Sequence, residues 1–201
     1  MLRVGLTGPA GSGKSTIATL LAEAGCPVVD ADRAAHHLYV PGSDLVGELV
    51  RAFGADILDS DGGVNRETLG RLVFASRTAR ERLNALVHPA LVAELKRRLD
   101  ALEREGSGIA ILDAALLLQW AAARVVDVVV GVWAPREIRL ARLVATGIAP
   151  EIAAGRVDAQ MTEALLRRHA DILIENTGTP DDLRTKVERL LTDLKRRSAS
   201  E

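Results

Sequence analysis

Short, nearly unbroken apolar runs alternate along the chain with longer stretches in which apolar residues recur every three or four positions. The runs at residues 2–7, 27–29, 109–112, 125–132 and 171–174 are rich in Val and Ile, the pattern of parallel strands covered on both faces. Helical periodicity fills the intervals, and a last helical pattern over 181–197 closes the chain. Strands that alternate with helices in this way predict an α/β domain built on a doubly wound parallel sheet.

Two intervals are too long to be plain crossovers. Residues 31–105 are mostly helical in pattern, with turn signals at "VPGSD" and "DSDGGVN" and a proline, Pro89, expected to bend or start a helix. This segment reads as an inserted substrate-binding piece. Residues 135–170 form a second helical insertion carrying Arg136, Arg139, Arg142, Arg156, Arg167 and Arg168, a solvated face or a basic lid. The core is then 1–30, 106–134 and 171–197, and the terminal "RRSASE" is expected to fray.

Composition narrows the picture. The 201 residues are 48% hydrophobic, enough for one core with insertions and too few for two ordinary full-sized domains. With 26 Lys plus Arg against 27 Asp plus Glu, the net charge is -1. No global basic field would gather nucleic acid or an anionic membrane, so neither is expected as a partner. Gln119, Arg124 and Asp127 interrupt the apolar region 114–134, which argues against a membrane span. Leu2 already enters a strand-like run, leaving no place for a cleaved leader. The lone Cys26 excludes an intrachain disulfide and fits a reducing, cytoplasmic setting, where it serves as a small buried apolar residue. Trp120 and Trp133 are core residues or ligand contacts, the core being favoured.

The sharpest chemical signal is "VGLTGPAGSGKST" at residues 4–16. Gly8, Gly13, Lys14 and Ser15 satisfy GxxxxGK[ST], the P-loop pattern, after a strand and before a helix. Glycines let backbone N–H groups turn inward around an anion, and the helix that follows points its positive end at the same phosphates. Lys14 can reach the β- and γ-phosphates and Ser15 can ligate Mg²⁺. A nucleoside triphosphate with magnesium follows directly. The phosphate acceptor does not.

Candidates for handling an acceptor sit where strands end. "VVDAD" places Asp30 and Asp32 at the carboxyl edge of the sheet, where open α/β folds bind ligands. One of them could take a hydroxyl proton; the plainer role for Asp32 is to N-cap the helix that follows. Asp113, ending "IAILD", could reach magnesium directly or through water. His36, His37, His88 and His169 show no metal-ligand spacing, and His88 beside Pro89 could serve an acceptor pocket.

The series "VGLTGPAGSGKST", "VVDADRAAHHLYVPG", "RAFGADILDSDGGVNRETLGRLVF", "LNALVHPAL" and "ADILIENTG" resembles the dephospho-coenzyme A kinase family. The resemblance implies a P-loop nucleoside-kinase-like fold with an inserted helical substrate piece and a helical lid. It also implies transfer of the ATP γ-phosphate to the ribose 3′-hydroxyl of dephospho-coenzyme A. By the same resemblance Gly11, Ser12, Gly13, Lys14, Ser15 and Thr16 hold ATP, Asn176 lies near adenine, and Asp32 is the base. Arg142 touches the transferred phosphate, Thr7 lies near substrate, and Arg66 and His88 belong to the coenzyme A piece.

The chain departs from that family in three places. Ala115 to Gln119 replaces a Pro-Leu-Leu-aromatic-Glu stretch. Ala145, Thr146 and Gly147 stand where an Arg-Asp pair precedes the lid turn, which is one residue shorter here. Leu166 replaces a lysine. Arg139 or Arg156 could compensate. Two other readings stay open: a kinase of the same fold acting on a nucleoside, nucleotide or other small alcohol, and a nucleotide-binding regulatory protein without transfer activity.

Overall fold

The computed structural model describes residues 1–119 and 121–199; Trp120 lies outside the described residues, as does the side chain of Gln119. Five strands, β1 (Leu2–Thr7), β2 (Val28–Asp30), β3 (Ile109–Asp113), β4 (Val128–Trp133) and β5 (Ile172–Glu175), form one sheet in the order β2-β3-β1-β4-β5. The β1–β3, β1–β4 and β4–β5 pairings are parallel. β1 is therefore central, and the chain leaves it first toward β2 and returns to its other side at β4. That reversal of winding is where open α/β sheets leave a crevice at their carboxyl edge.

The chain divides into two compact units, Met1–Val29 with the residues from Arg98 onward, and Asp30–Arg97. In the first, α1 (Lys14–Glu23) and α9 (Pro180–Ser198) cover one sheet face. Val4, Leu6, Ile17, Leu21, Val130, Val132, Leu190 and Leu194 lie buried in one cluster there. Each such aliphatic side chain contributes about 1.5–3 kcal/mol on burial. Three further helices, α6 (Arg136–Ala145), α7 (Pro150–Asp158) and α8 (Glu163–His169), separate β4 from β5. The second unit holds α2 (Ala31–His37), α3 (Asp44–Phe53), α4 (Arg66–Ala75) and most of α5 (Arg77–Arg104). It has its own core of Leu45, Val46, Leu49, Ile57, Val64 and Leu69.

Several expectations need correcting. β4 begins at Val128, because Asp127 is tied off before it: its carboxylate accepts from Arg3 N at 2.7 Å and its own N–H donates to Arg3 O at 2.7 Å. Pro89 starts no helix and lies inside the 28-residue α5. Without an N–H, Pro89 cannot donate to the carbonyl of Ala85, an exposed residue one turn before it. The C-terminal segment is helical through Ser198, whose hydroxyl donates to Gly108 O at 2.9 Å. Trp133 is half-buried rather than core, and Cys26 is buried, its thiol pushed up by desolvation. No helix among the described residues is long and apolar enough to cross a membrane.

Candidate active site

The glycine loop joins β1 to α1. Gly13 N-caps α1 at φ 94°, and a Cβ there would lie 2.1 Å from Asn176 Nδ2. Gly11 has φ 76°, and a Cβ would meet Arg139 O at 2.6 Å. Both the backbone angles and the crowding demand glycine. Lys14, Ser15 and Thr16 open α1, so their N–H groups belong to the first turn, which lacks intrahelical partners and favours an anion. Ser15 and Thr16 are exposed. The Lys14 ammonium donates to Asp113 Oδ1 at the end of β3.

Neighbouring elements hold the loop from behind. Arg142 of α6 donates through Nη1 to Gly11 O at 3.2 Å and Ser12 O at 3.4 Å, and through Nη2 to Asn176 O at 3.1 Å. Asn176 is buried and gives Nδ2 to Ser12 O at 2.8 Å. Thr7, fully buried, gives its hydroxyl to Ala115 O at 3.2 Å. Gln160, just beyond α7, accepts from Ala10 N at 2.7 Å. Gln160 escaped the sequence reading because a lone glutamine after a helical pattern carries no signal of its own.

The arginines of residues 135–170 differ in their surroundings. Arg136 is neutralised by Asp158 through two bonds of 2.7 and 2.8 Å, which hold the Asp158 carboxyl below its usual range. Arg167 pairs with Glu163 and Glu175. Arg156 and Arg168 are exposed. Arg139 is buried against the Trp133 ring, its guanidinium carbon 4.8 Å from the centroid, and desolvation lowers its pKa. The departures in this region are structural in form. Leu166 is fully buried beneath Gly131, where a Cβ would come within 2.9 Å of it. Ala145 ends α6, Thr146 caps it, and Gly147 at φ 87° turns the chain.

In the unit Asp30–Arg97, Asp30 caps α2: its carboxylate accepts from Arg33 N at 2.9 Å. The capping role considered for Asp32 thus falls to Asp30, one residue before the helix. Asp32 is exposed in the first turn, one helical turn from His36 on the same face. The guanidinium of Arg66, at the start of α4, contacts His36 Nε2, and since a guanidinium only donates, that nitrogen accepts. Asp32 and Arg66 are thereby brought to one side of this unit. His88 sits half-buried midway along α5.

The described residues contain no group of three or more His, Cys, Asp or Glu able to hold a metal. Magnesium does not need one: bound with a nucleotide it takes one or two protein oxygens, phosphates and waters. The Ser15 hydroxyl and the half-buried Asp113 carboxylate supply hard oxygen donors of that kind.

A parallel sheet with central β1, a glycine loop opening α1 and its lysine on a β3 carboxylate defines a P-loop kinase. A family model described as dephospho-CoA kinase matches residues 2–182. A dephospho-CoA kinase of Symbiobacterium thermophilum is 43% identical over 186 residues, 92% of this chain and 78% of the relative. A crystal structure from Thermus thermophilus superposes with TM-score 0.76 at 34% identity, covering 96% of this chain and 97% of that one. Dephospho-CoA kinase from Campylobacter jejuni, at 23% identity and TM-score 0.65 over 96% of both chains, shares the fold. The chain belongs to the dephospho-CoA kinase family.

Proposed function

We propose that this protein transfers the γ-phosphate of ATP to the ribose 3′-hydroxyl of dephospho-coenzyme A, giving coenzyme A and ADP, in the cytoplasm. The observation that carries the reading is the intact glycine loop, with Lys14 opening α1 and resting on Asp113, in a chain of this family. The bond from the γ-phosphorus to the bridging oxygen breaks as a bond to the 3′-oxygen forms, and the hydroxyl proton passes to Asp32. Capping by Asp30 leaves the Asp32 carboxylate uncommitted to the α2 backbone.

Arriving triphosphate draws Lys14 from Asp113 onto the β- and γ-oxygens and frees that carboxylate. Ser15 and Asp113 would hold Mg²⁺, which supplies positive charge to the same oxygens. Arg142 and Asn176 fix the loop so that its N–H groups stay aimed at the phosphates, and such preorganisation is the largest part of phosphoryl-transfer catalysis. Arg66 and His88 bind the acceptor. The test is Mg²⁺-dependent ATP consumption with dephospho-coenzyme A, adenosine or AMP as acceptor. Consumption stimulated by dephospho-coenzyme A above the others is expected; equal or greater stimulation by a nucleoside contradicts the acceptor assignment.

A further inference from the structure

Among the described residues, the buried side-chain polar atoms without a hydrogen-bond partner are Ser12 Oγ and Arg139 Nε and Nη1. All three belong to the glycine loop or to the helix lying against it. Unsatisfied buried groups in a native fold call for an explanation, and a buried cation is the most costly kind. Arg139 is 4% exposed. No carboxylate bonds to it, because Asp158 is engaged by Arg136, and Arg136 itself adds like charge. The ring face of Trp133 and the through-space attraction of Asp158, opposed by Arg136, are the electrostatic support it has without a hydrogen bond to Nε or Nη1.

Its position is fixed by the loop. The backbone of Arg139 presses on Gly11 so closely that a Cβ on Gly11 would lie 2.9 Å from its Cα. Arg142, one turn further along α6, spends its donors on the carbonyls of Gly11, Ser12 and Asn176 and so supports the loop. At Ala145 and Thr146, where a lid cation was expected, the chain has none. We propose that Arg139 is a further phosphate-binding residue of this kinase, donating Nε and Nη1 to a phosphate of the bound nucleoside triphosphate. The inference rests on the ATP-dependent activity assigned above. It explains why a cation is kept buried without a partner: bound anion completes it, and charge-assisted donation from a guanidinium is strong.

The experiment compares wild type with Arg139→Gln and Arg139→Lys by thermal melting, free and with Mg-ATP, and by steady-state kinetics for both substrates. Arg139→Gln removes an uncompensated charge, so the free protein should melt at the same temperature or higher. Its Mg-ATP-induced shift should shrink, and its KM for ATP should rise roughly ten- to a hundredfold. KM for dephospho-coenzyme A should stay nearly constant. A lower melting temperature with the ATP shift and KM intact would overturn the proposal in favour of a packing role. A change confined to KM for dephospho-coenzyme A would overturn it too, by moving the guanidinium to the acceptor's diphosphate. If Arg139→Gln does not fold, Arg139→Lys decides: it keeps charge but loses the fork, so a wild-type KM for ATP refutes the assignment and a severalfold rise supports it. Failure of the acceptor assignment is seen separately, as absence of coenzyme A from the wild-type reaction while the ATP shift remains measurable.

Discussion

In the glycine loop, Gly11 and Gly13 adopt left-handed backbone angles and are closed in by Arg139 and Asn176. In the unit Asp30–Arg97, the residues assigned to the acceptor, Asp32 and Arg66, stand exposed on helices. The first region fixes main-chain donors through buried neighbours, and little there can change without moving the phosphates. The second presents side chains from a separate small core of Leu45, Leu49 and Ile57, so their chemistry can change while the fold stays. Loss of a loop group should therefore abolish transfer, and loss of an acceptor-side group should separate turnover from nucleotide binding.

The largest effect is expected at Lys14. Lys14→Met removes the charge that follows the transferring phosphate and should lower kcat by about 10³-fold or more, with an unchanged circular dichroism spectrum. Near-normal turnover would place the loop outside the chemistry.

Next comes the pair Asp32 and Asp30, which isolates chemistry from capping. Asp32→Asn should reduce kcat by roughly 10²–10⁴-fold, as loss of a general base does, with ATP affinity and melting temperature nearly unaltered. Asp30→Ala should show the stability loss instead, about 0.5–2 kcal/mol in denaturant unfolding, because Asp30 holds Arg33 N. Exchange of the two phenotypes would reverse the assignment.

The smallest effect concerns the Arg136–Asp158 ion pair. Arg136 holds the Asp158 carboxyl below its unfolded value. That contribution is present above the unfolded carboxylate pKa and is lost as pH falls through the depressed folded value. Both groups are exposed, so the wild type should lose slightly more melting temperature on acidification than Asp158→Asn does, and added salt should erase the difference. Equal acid sensitivity in the two proteins would show the pair to be without consequence.

The strands were legible because buried parallel strands are continuous apolar runs, and four of the five both begin and end within a residue of their expected positions. The fifth failed at its start, where Val125 and Val126 look like strand but Asp127 is already bonded to Arg3. Of the two roles expected for Pro89, starting a helix is excluded, because it lies well inside α5. The places of Lys14 and Ser15 at the start of α1 and of Asp113 at the end of β3 could be read because the motif and the strand ends carry them. The loop's supports left no pattern of their own: Arg142 and Asn176 entered only through the resemblance and Gln160 not at all, since Gln160 to Ala10 and Arg142 to Gly11 join residues about 130 to 150 positions apart through backbone groups. The cap was misplaced by a small register difference: Asp30 and Asp32 are equivalent by type, and only the first turn of α2 tells them apart.

The most direct test of the central claim follows the phosphate itself. Purified protein is given γ-labelled ATP, Mg²⁺ and dephospho-coenzyme A, and the product is identified by mass and by the position of its new phosphate. Label appearing stoichiometrically at the ribose 3′-position, with ADP in equal amount, is the predicted result. Label released as inorganic phosphate, or carried on any other acceptor position, would contradict the account.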